Sequence, residues 1–365
     1  MNDTDSGHMR HALRLGARAT GRTWPNPAVG CVIVKNQRII GRGWTQDGGR
    51  PHAETQALAQ AGVDAAGAIA YVTLEPCAHQ GETPPCAQAL ISAGIGRVVV
   101  ATTDPDPRVN GAGIAMLRKA GVKVSTGVLE EVAKRQHAGF KSRITLGRPN
   151  VTLKLAASLD GRIATASGES QWITGPHARR IVHLQRSQHD AVMVGGGTAR
   201  ADDPSLNVRD LGVTHQPVRV IWSSQLDLPL QSQLAQTAKE IPLWILHSID
   251  ADPNLCNAWE GLGARLLSVA TGKDRKIDPL AALLALGQAG LNTIYCEGGG
   301  TLAASLLSAG LVDELVTFTA GLVLGADGVP MLAAMGIAEL KAANRFQLVS
   351  TRAIGFDTMS LWRAP

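Results

Sequence analysis

Features that this sequence lacks exclude several classes of protein. None of its 365 residues forms part of an apolar run near the length of roughly 20 residues that spans a bilayer. The first residues, Met1 to Arg10, are polar and lack the apolar core of a signal peptide. Internal repeats and low-complexity segments are also missing. We therefore expect a cytoplasmic protein of ordinary globular domains that does not associate with a membrane.

Cysteine is scarce. The chain has five cysteines, an odd number that argues against a disulfide framework. Cys31, Cys256 and Cys296 lie in apolar, strand-like runs and are predicted to be buried thiols. Cys77 and Cys86 differ because each follows a proline in a polar stretch. These two cysteines are candidates for chemistry.

Basic residues and aromatic residues do not cluster. The formal net charge of +5 divides into +7 for residues 1–148 and −2 for the remainder. The lysines and arginines are scattered, and aromatic residues make up 4% of the chain. A nucleic-acid-binding face usually needs a basic stripe with aromatic residues beside it, so we expect no nucleic-acid partner. A positive field that attracts a phosphorylated small molecule explains the charge with fewer assumptions.

The length allows two domains, each with a substantial core. Gly147-Arg148-Pro149 is the best boundary, giving domains at 1–147 and 150–365. The first domain has the alternation of helices and strands that is typical of a three-layer α/β sandwich. Its predicted helices are His8 to Thr20, His52 to Ala61, Cys86 to Ala93, Ala112 to Ala120 and Glu130 to Phe140, and its predicted strands are Val29 to Val34, Arg38 to Gly43, Ala68 to Leu74, Arg97 to Ala101 and Val122 to Thr126.

The second domain is also predicted to be α/β. Its strands are expected at Val151 to Ala156, Ala191 to Val194, Val218 to Ile221, Leu243 to Leu246 and Thr293 to Cys296, with helices at Pro176 to Gln185, Pro279 to Gln288 and Leu302 to Ala309.

Three short motifs in the first domain predict a catalytic zinc site. They are His52-Ala53-Glu54, Pro76-Cys77 and Pro85-Cys86. One imidazole and two thiolates give Zn²⁺ three protein ligands and leave the fourth tetrahedral position for water. Glu54 is not needed as a ligand and is free to move protons. This combination is typical of a zinc deaminase.

The spacing of His52 and Glu54 has a structural condition. Residues two apart lie on different sides of a helix, so both can face one cavity only if the helix begins near His52. One alternative is a closed structural zinc site with His79 as fourth ligand, and another is that the motifs have unrelated roles and bind no zinc.

The segment between the cysteines carries a family resemblance. Eight residues separate Cys77 from Cys86, an insert that resembles the deaminase half of the bifunctional riboflavin-biosynthesis deaminase–reductases. Pro25 to Gly30 and Asp104 to Gly113 resemble the same family. Asp106 stands where the family often has asparagine.

This resemblance implies a cytidine-deaminase-like fold and a diaminopyrimidinone ribosylamino 5′-phosphate as substrate. Zinc activates water for attack on ring C2, and Glu54 carries the proton from that water to the departing amine. Asn26 and His79 are expected to help hold the ring.

Two glycine-rich turns stand out in the second domain, Gly195-Gly196-Gly197 and Gly298-Gly299-Gly300. Backbone amides at a helix start can bind phosphate, although each turn alone is a weak signal. Lys154 to Arg162, Ser167 to Thr174 and Thr198 to Leu206 resemble the reductase half of the same family, which has a dihydrofolate-reductase-like fold.

The resemblance implies that NADPH donates hydride to C1 of the ribosyl group. It assigns the cofactor to Ala156, Trp172, Thr198, Asp202, Ser223, Gly299, Gly300, Thr301, Leu302, Ala303, Ala304 and Ser305. It assigns the substrate to Ser170, Arg186, Leu206, Arg209 and Glu297. Arg186 and Arg209 are interpreted as a clamp on the ribose phosphate, because guanidinium groups match phosphate oxygens. Asp202 is a candidate proton source, and Arg200 is a candidate for the 2′-phosphate that distinguishes NADPH from NADH.

Other hypotheses are compatible with parts of the sequence. A base deaminase acting on tRNA would share the zinc chemistry, and a non-catalytic zinc module would not need Glu54. A third possibility retains the deaminase but has an inactive reductase half. The family resemblance also implies a homo-oligomer.

Overall fold

The computed structural model describes residues 3–79, 84–272 and 276–365, so part of the insert between Cys77 and Cys86 lies outside the described residues. The chain divides into two compact units, Met1–Gly147 and Arg148–Pro365. None of the helices in the described ranges combines the length and apolar character that crossing a bilayer requires.

The first unit is built on a five-stranded sheet in the order β2-β1-β3-β4-β5. Strand β1 is antiparallel to both neighbours, whereas β3, β4 and β5 are parallel. The elements are α1 (Asp3–Gly16), β1 (Gly30–Lys35), β2 (Arg38–Trp44), α2 (Ala53–Ala61), β3 (Ile69–Val72), α3 (Cys86–Ser92), β4 (Arg97–Val100), α4 (Ala112–Lys119), β5 (Lys123–Thr126), α5 (Glu130–Gln136) and α6 (Ala138–Leu146).

Helices cover both faces of this sheet, as the three-layer prediction required. Along β1, Val32 packs with Met9 of α1 in one buried cluster, and Ile33 packs with Ala57 of α2 in the other. Successive residues of a strand point to opposite faces, so β1 supplies side chains to both cores. The alternation confirms the sandwich predicted from the sequence.

Two glycines bring α2 directly against β2. A Cβ atom on Gly41 would lie 2.2 Å from the carbonyl oxygen of Ala57, and one on Gly43 would lie 2.0 Å from that of Ala53. Any larger residue would clash with helix backbone, which cannot move away as a side-chain end can. The helix that begins after His52 is therefore held at a fixed distance from the sheet.

Two predicted helices differ from the observed ones. The first helix ends at Gly16, and a short 3-10 turn at Ala17–Ala19 follows it. The single helix predicted from Glu130 to Phe140 is instead two helices that meet at His137. The His137 ring is buried within hydrogen-bonding distance of Thr73, so this contact is made where the helix breaks.

The second unit contains a nine-stranded sheet in the order β11-β10-β9-β8-β12-β6-β13-β16-β15. Each of the first seven strands in this order, from β11 through β13, is parallel to its neighbours within that group. Strand β16 is antiparallel to both β13 and β15. The elements are β6 (Asn150–Ser158), β7 (Arg162–Ala164), α7 (Pro176–Ser187), β8 (Ala191–Gly195), α8 (Gly196–Asp202), β9 (Val218–Trp222), α9 (Gln233–Gln236), β10 (Leu243–Ser248), α10 (Pro253–Gly261), β11 (Arg265–Val269), α11 (Pro279–Gln288), β12 (Thr293–Gly298), α12 (Gly300–Ser308), β13 (Glu314–Ala320), β14 (Val329–Pro330), β15 (Gln347–Ile354) and β16 (Asp357–Arg363).

The predicted strands and helices of this unit are present, but four strands of the large sheet, β11, β13, β15 and β16, were not predicted. One cysteine prediction was wrong as well. Cys31 and Cys296 are buried in strands, whereas Cys256 lies in helix α10 and is half-buried. The apolar residues around Cys256 therefore belong to a helix that packs on the sheet.

The buried His137 makes the stability of the first unit depend on pH. Burial lowers the pKa of His137 to about 4, compared with about 6.5 in an unfolded chain. Between these two values the unfolded chain binds a proton that the folded protein resists, so the free energy of unfolding falls as pH falls. The full loss is about 3 kcal/mol, at about 1.4 kcal/mol for each pKa unit.

We predict that H137Q weakens this dependence. In urea unfolding at pH 7 and pH 4.5, the wild type should lose about 2 to 3 kcal/mol more than the variant. Comparing the two proteins cancels the protonation of every other group. Equal losses would contradict the assignment.

Candidate functional site

The first unit brings together the three predicted metal ligands. His52 Nδ1 lies 3.2 Å from Cys86 Sγ and 3.8 Å from Cys77 Sγ, and the three ligand atoms all lie within 4.8 Å of one another. Tetrahedral Zn²⁺ at ordinary bond lengths separates nitrogen and sulfur ligands by about 3.5 to 3.8 Å. The donor set and its spacing therefore fit zinc. Among the described residues, His79 is not part of this group.

Local structure explains how these side chains meet. His52 has extended backbone angles, φ −69° and ψ 160°, and caps helix α2. Cys86 is the first residue of α3, and its backbone N–H donates to Cys77 Sγ over 3.3 Å. The condition set by the His52–Glu54 spacing is met, because the helix begins at Ala53.

Contacts within the cluster shift the pKa values of the two cysteine thiols in opposite directions. A hydrogen bond with Cys86 and another with His52 lower the pKa of Cys77 to about 4, against the effect of burial. The hydrogen bond with Cys77, followed by burial, raises the pKa of Cys86. The lowered pKa of Cys77 favours its thiolate, the form that coordinates a metal.

Glu54 is buried beside the cluster and has an exposed fraction of 4%. Burial raises its pKa to about 7, Cys77 adds to the effect, and His52 opposes it. A carboxyl group with a pKa near neutrality can both accept and donate a proton, as general acid–base catalysis requires.

A cavity of about 220 Å³ opens over this centre. Asn26 and His79, which were predicted to hold the substrate ring, both line it. Other polar lining residues were not assigned from the sequence, and they are Thr45, Arg50, Glu75, Asp104, Asp106, Arg108 and Arg143.

A buried carboxylate organises one wall of this cavity. Glu75 is 3% exposed and accepts three backbone N–H groups, those of Asp104 (3.2 Å), Gly111 (3.0 Å) and Ile114 (3.1 Å). It immediately precedes Pro76 and Cys77 in sequence. One side chain therefore links the metal-ligand loop to the loop after β4.

The second unit has a cavity of about 540 Å³ at the carboxyl ends of β6, β8 and β12. Nine of the predicted reductase residues line it. Four were assigned to the cofactor and five to the substrate, and they are Ala156, Trp172, Thr198, Asp202, Ser170, Arg186, Leu206, Arg209 and Glu297.

Arg186 uses all three nitrogens of its guanidinium group, Nε, Nη1 and Nη2, in bonds within the protein. It forms a two-pronged ion pair with Glu297, and its Nη1 donates to the carbonyl oxygen of Asn207 over 2.8 Å. Both charged side chains are nearly buried, which favours pairing. The phosphate clamp stays a prediction for both arginines, and Arg209 is the exposed one at the cavity edge.

The remaining predicted cofactor residues lie outside the lining of this cavity. Ser223 is buried, and its hydroxyl donates to Asp227. Leu302, Ala303 and Ala304 are buried in α12, so their backbone is what they can offer a ligand. Gly299, Gly300, Thr301 and Ser305 belong to the same turn and helix. Arg200 is ion-paired with Asp227 at 2.8 Å.

The two glycine-rich turns lie side by side because β8 and β12 are adjacent and parallel. Thr198 donates to the carbonyl oxygen of Gly298 over 3.2 Å, and a Cβ atom on Gly299 would lie 2.6 Å from Thr198 Oγ1. Gly299 has φ +90°, in the left-handed region. Two helix N-termini thus open at one sheet edge, an arrangement that fits the pyrophosphate of a dinucleotide.

Lys154 also lines the cavity, although no role for it was predicted from the sequence. Its Nζ lies 4.0 Å from Glu297, and strand register explains the contact because Leu153 pairs with Cys296. Burial lowers the pKa of Lys154. A single lysine within a buried apolar strand was the signal that could have identified it.

Comparisons with known proteins agree with both halves of this architecture. Residues 2–102 match the cytidine and deoxycytidylate deaminase zinc-binding region, and residues 149–360 match the RibD C-terminal domain. The chain is 41% identical to riboflavin biosynthesis protein RibD of Escherichia coli, with 97% of each protein covered. It is 37% identical to that of Aquifex aeolicus, covering 100% of this chain and 99% of the relative.

Solved structures show the same similarity over the full length. Acinetobacter baumannii RibD in one crystal form has a TM-score of 0.88 at 39% identity, with 99% of both chains covered. A diaminohydroxyphosphoribosylaminopyrimidine deaminase/5-amino-6-(5-phosphoribosylamino)uracil reductase from Thermotoga maritima has a TM-score of 0.86 at 31% identity, again with 99% of both chains covered.

The fold and sites define a zinc-dependent deaminase joined to an NADPH-dependent reductase. The chain belongs to the RibD family, the bifunctional deaminase–reductases of riboflavin biosynthesis. The comparisons give no support to a tRNA deaminase or to a non-catalytic zinc module with a scaffold domain.

We predict that E75Q destabilises the first unit without touching a metal ligand. The amide nitrogen cannot accept the backbone N–H groups that Glu75 now binds, and the charge-assisted character of the bonds is lost. Urea unfolding should show a loss of about 2 to 3 kcal/mol, since hydrogen bonds to charged groups contribute about 1.5 to 3 kcal/mol each.

The matched control is E131Q, at an exposed glutamate whose partner is Lys134. It should change stability by less than about 0.5 kcal/mol, as exposed ion pairs usually contribute little. Equal effects of E75Q and E131Q would show that the loop does not depend on the Glu75 carboxylate.

Proposed function

We propose that this chain catalyses two successive reactions of riboflavin biosynthesis. Residues 1–147 deaminate 2,5-diamino-6-(5-phosphoribosylamino)pyrimidin-4-one, and residues 150–365 reduce the ribosyl group of 5-amino-6-(5-phosphoribosylamino)uracil to ribityl. The single observation that carries the proposal is the His52–Cys77–Cys86 cluster with buried Glu54 beside it. The name of the Thermotoga maritima relative supports the choice of substrates.

In the deaminase site, His52, Cys77 and Cys86 hold the metal. Zinc, when bound, supplies an activated water molecule for attack on the amino-bearing ring carbon. Glu54 takes a proton from that water and delivers it to the departing amine. Asn26 and His79 orient the pyrimidine ring from the cavity wall.

In the reductase site, NADPH supplies the hydride that is transferred to C1 of the ribosyl group. The turn from Gly299 to Ser305 would bind its pyrophosphate through backbone amides, and Trp172 lines the cavity at the carboxyl ends of the strands. Arg209 is left to bind the substrate phosphate. The accompanying proton needs a donor, and Lys154 suits that role better than Asp202. Lys154 is buried next to Glu297, whereas Asp202 is largely exposed.

Arg186 and Glu297 are proposed to act as a pair. The ion pair fixes the Glu297 carboxylate at the cavity wall, where it can accept hydrogen bonds from ribose hydroxyls and keep the Lys154 ammonium in place.

Both substrates are small phosphorylated pyrimidines. We further propose that the protein is cytoplasmic and that it forms a homo-oligomer.

We predict that E54Q abolishes ammonia release while zinc remains bound. Glutamine cannot exchange a proton in this way, and general acid–base catalysis contributes about 10²- to 10⁴-fold to rate. Ammonia release from the diaminopyrimidinone ribotide and the zinc content per chain are measured together. C86S is the control that should lose zinc, because it removes a ligand. Retention of activity in E54Q would refute the assigned role.

We predict that K154M lowers kcat for NADPH oxidation by the deaminated substrate at least about 100-fold, the lower range for a lost acid or base. Ammonia release should be unchanged, since the deaminase site lies in the other unit. D202N is the comparison variant, and its kcat should stay within about 3-fold of the wild-type value, far from the loss expected for a missing acid or base. A large loss in D202N together with a small loss in K154M would return the role to Asp202.

A further inference from the structure

The charges around the deaminase cavity leave few places for a substrate phosphate. Among the residues that the structure describes, four carboxylates line the cavity, namely Glu54, Glu75, Asp104 and Asp106, together with three arginines, namely Arg50, Arg108 and Arg143. A phosphate dianion is repelled by carboxylates and matched by guanidinium groups. On the proposed function, the 5′-phosphate should therefore contact one of the arginines.

Arg50 and Arg143 are poorly placed for this contact. Arg50 lies two residues before the metal ligand His52 and lines the same cavity, which places it at the reacting end. Arg143 donates from Nη2 to the carbonyl oxygen of Pro25 over 2.7 Å, and its guanidinium lies 5.6 Å from the centre of the Phe140 ring. Arg143 therefore has a packing role.

Arg108 has the geometry of a receptor. Its Nε donates to Asp106 Oδ1 and Oδ2 over 3.0 and 3.1 Å, and its Nη2 donates to Oδ2 over 2.5 Å. These bonds occupy the Nε–Nη2 edge of the guanidinium group. The Nη1 donor takes part in none of them. The Arg108 side chain is 68% exposed at the cavity wall.

Asp106 holds this arginine rigidly. Its side chain is 7% exposed, its Oδ1 also accepts the backbone N–H of Arg108, and its own N–H donates to Asp104. Asp104 is in turn bound through its backbone to Glu75. Holding an arginine in one conformation before binding reduces the side-chain entropy that is lost when a ligand arrives.

We propose that Arg108, oriented by Asp106, recognises the 5′-phosphate of the deaminase substrate and determines the preference for the phosphorylated compound. The inference rests on the proposed deaminase function. It adds a substrate-contacting residue from the loop between β4 and α4, separate from the metal ligands and from Glu54.

The test compares the ribotide with its dephosphorylated riboside. R108Q should raise KM for the ribotide about 10- to 100-fold, because a charge-assisted hydrogen bond contributes about 1.5 to 3 kcal/mol. The kcat for the ribotide, and both kcat and KM for the riboside, should remain within about 3-fold of the wild-type values, because the lost hydrogen bond is made only to the phosphate. R118Q, at an exposed arginine of α4, is the matched control and should leave both substrates unaffected.

A binding measurement makes the test independent of turnover. Ribose 5-phosphate should inhibit ammonia release by the wild type competitively and should inhibit R108Q much more weakly. R108K keeps the charge without the planar fork and should give an intermediate KM.

The outcomes separate the two proposals. If the wild type deaminates neither compound, the proposed function fails. Phosphate recognition by Arg108 is refuted if the wild type is active but R108Q loses activity equally on the ribotide and the riboside. It is also refuted if R108Q keeps full activity on both compounds. A ribotide-specific loss in R143Q but not in R108Q would also overturn it.

Discussion

Both sites depend on the alignment of parallel strands. Parallel neighbours end at the same edge of a sheet, so the loops that follow them meet there. In the first unit, β3 leads to Cys77 and β4 leads to the loop that contains Asp104. In the second unit, β8 and β12 bring two glycine-rich turns into contact. Residues far apart in sequence thereby share a cavity without any need for long connecting loops.

Buried charges then hold these edges in place. Glu75 joins two loops of the first unit through backbone amides, and the Arg186–Glu297 pair joins α7 to β12 in the second. Such groups contribute little net stability compared with apolar residues of similar size, because each charge must leave water. Their effect is to select one arrangement of the cavity wall, since a displaced loop would leave a buried charge without a partner.

The sequence predicted the parts of the sites that local chemistry determines. A histidine before a helix and two prolyl-cysteines predict a metal site through residue type and spacing, and the structure brings these three side chains together. Partners that depend on tertiary packing were not predictable. Nothing near Arg186 in sequence indicates that Glu297 would occupy its guanidinium, and nothing near Lys154 shows that strand register places it beside the same carboxylate.

The same limit applies to the fold. The five predicted strands of the second unit are largely buried, whereas β15 is exposed along nearly its whole length and carries no pattern of burial. Strand β13 alternates between buried and half-buried positions and was missed all the same. The position of β15 follows from pairing with β16, which pairs in turn with β13. The break at His137 was missed for a comparable reason, because the buried contact with Thr73 involves a residue 64 positions away.

The close approach of β2 to α2 has a consequence for engineering. At Gly41 and Gly43 one main chain rests against another, so no side chain stands between them whose size could be adjusted. The distance between the His52 end of α2 and the sheet therefore cannot be changed in small steps by mutation. Redesign for a different heterocycle would have to reshape the segment from Asp104 to Gly111 opposite, and leave the metal-bearing helix as it is.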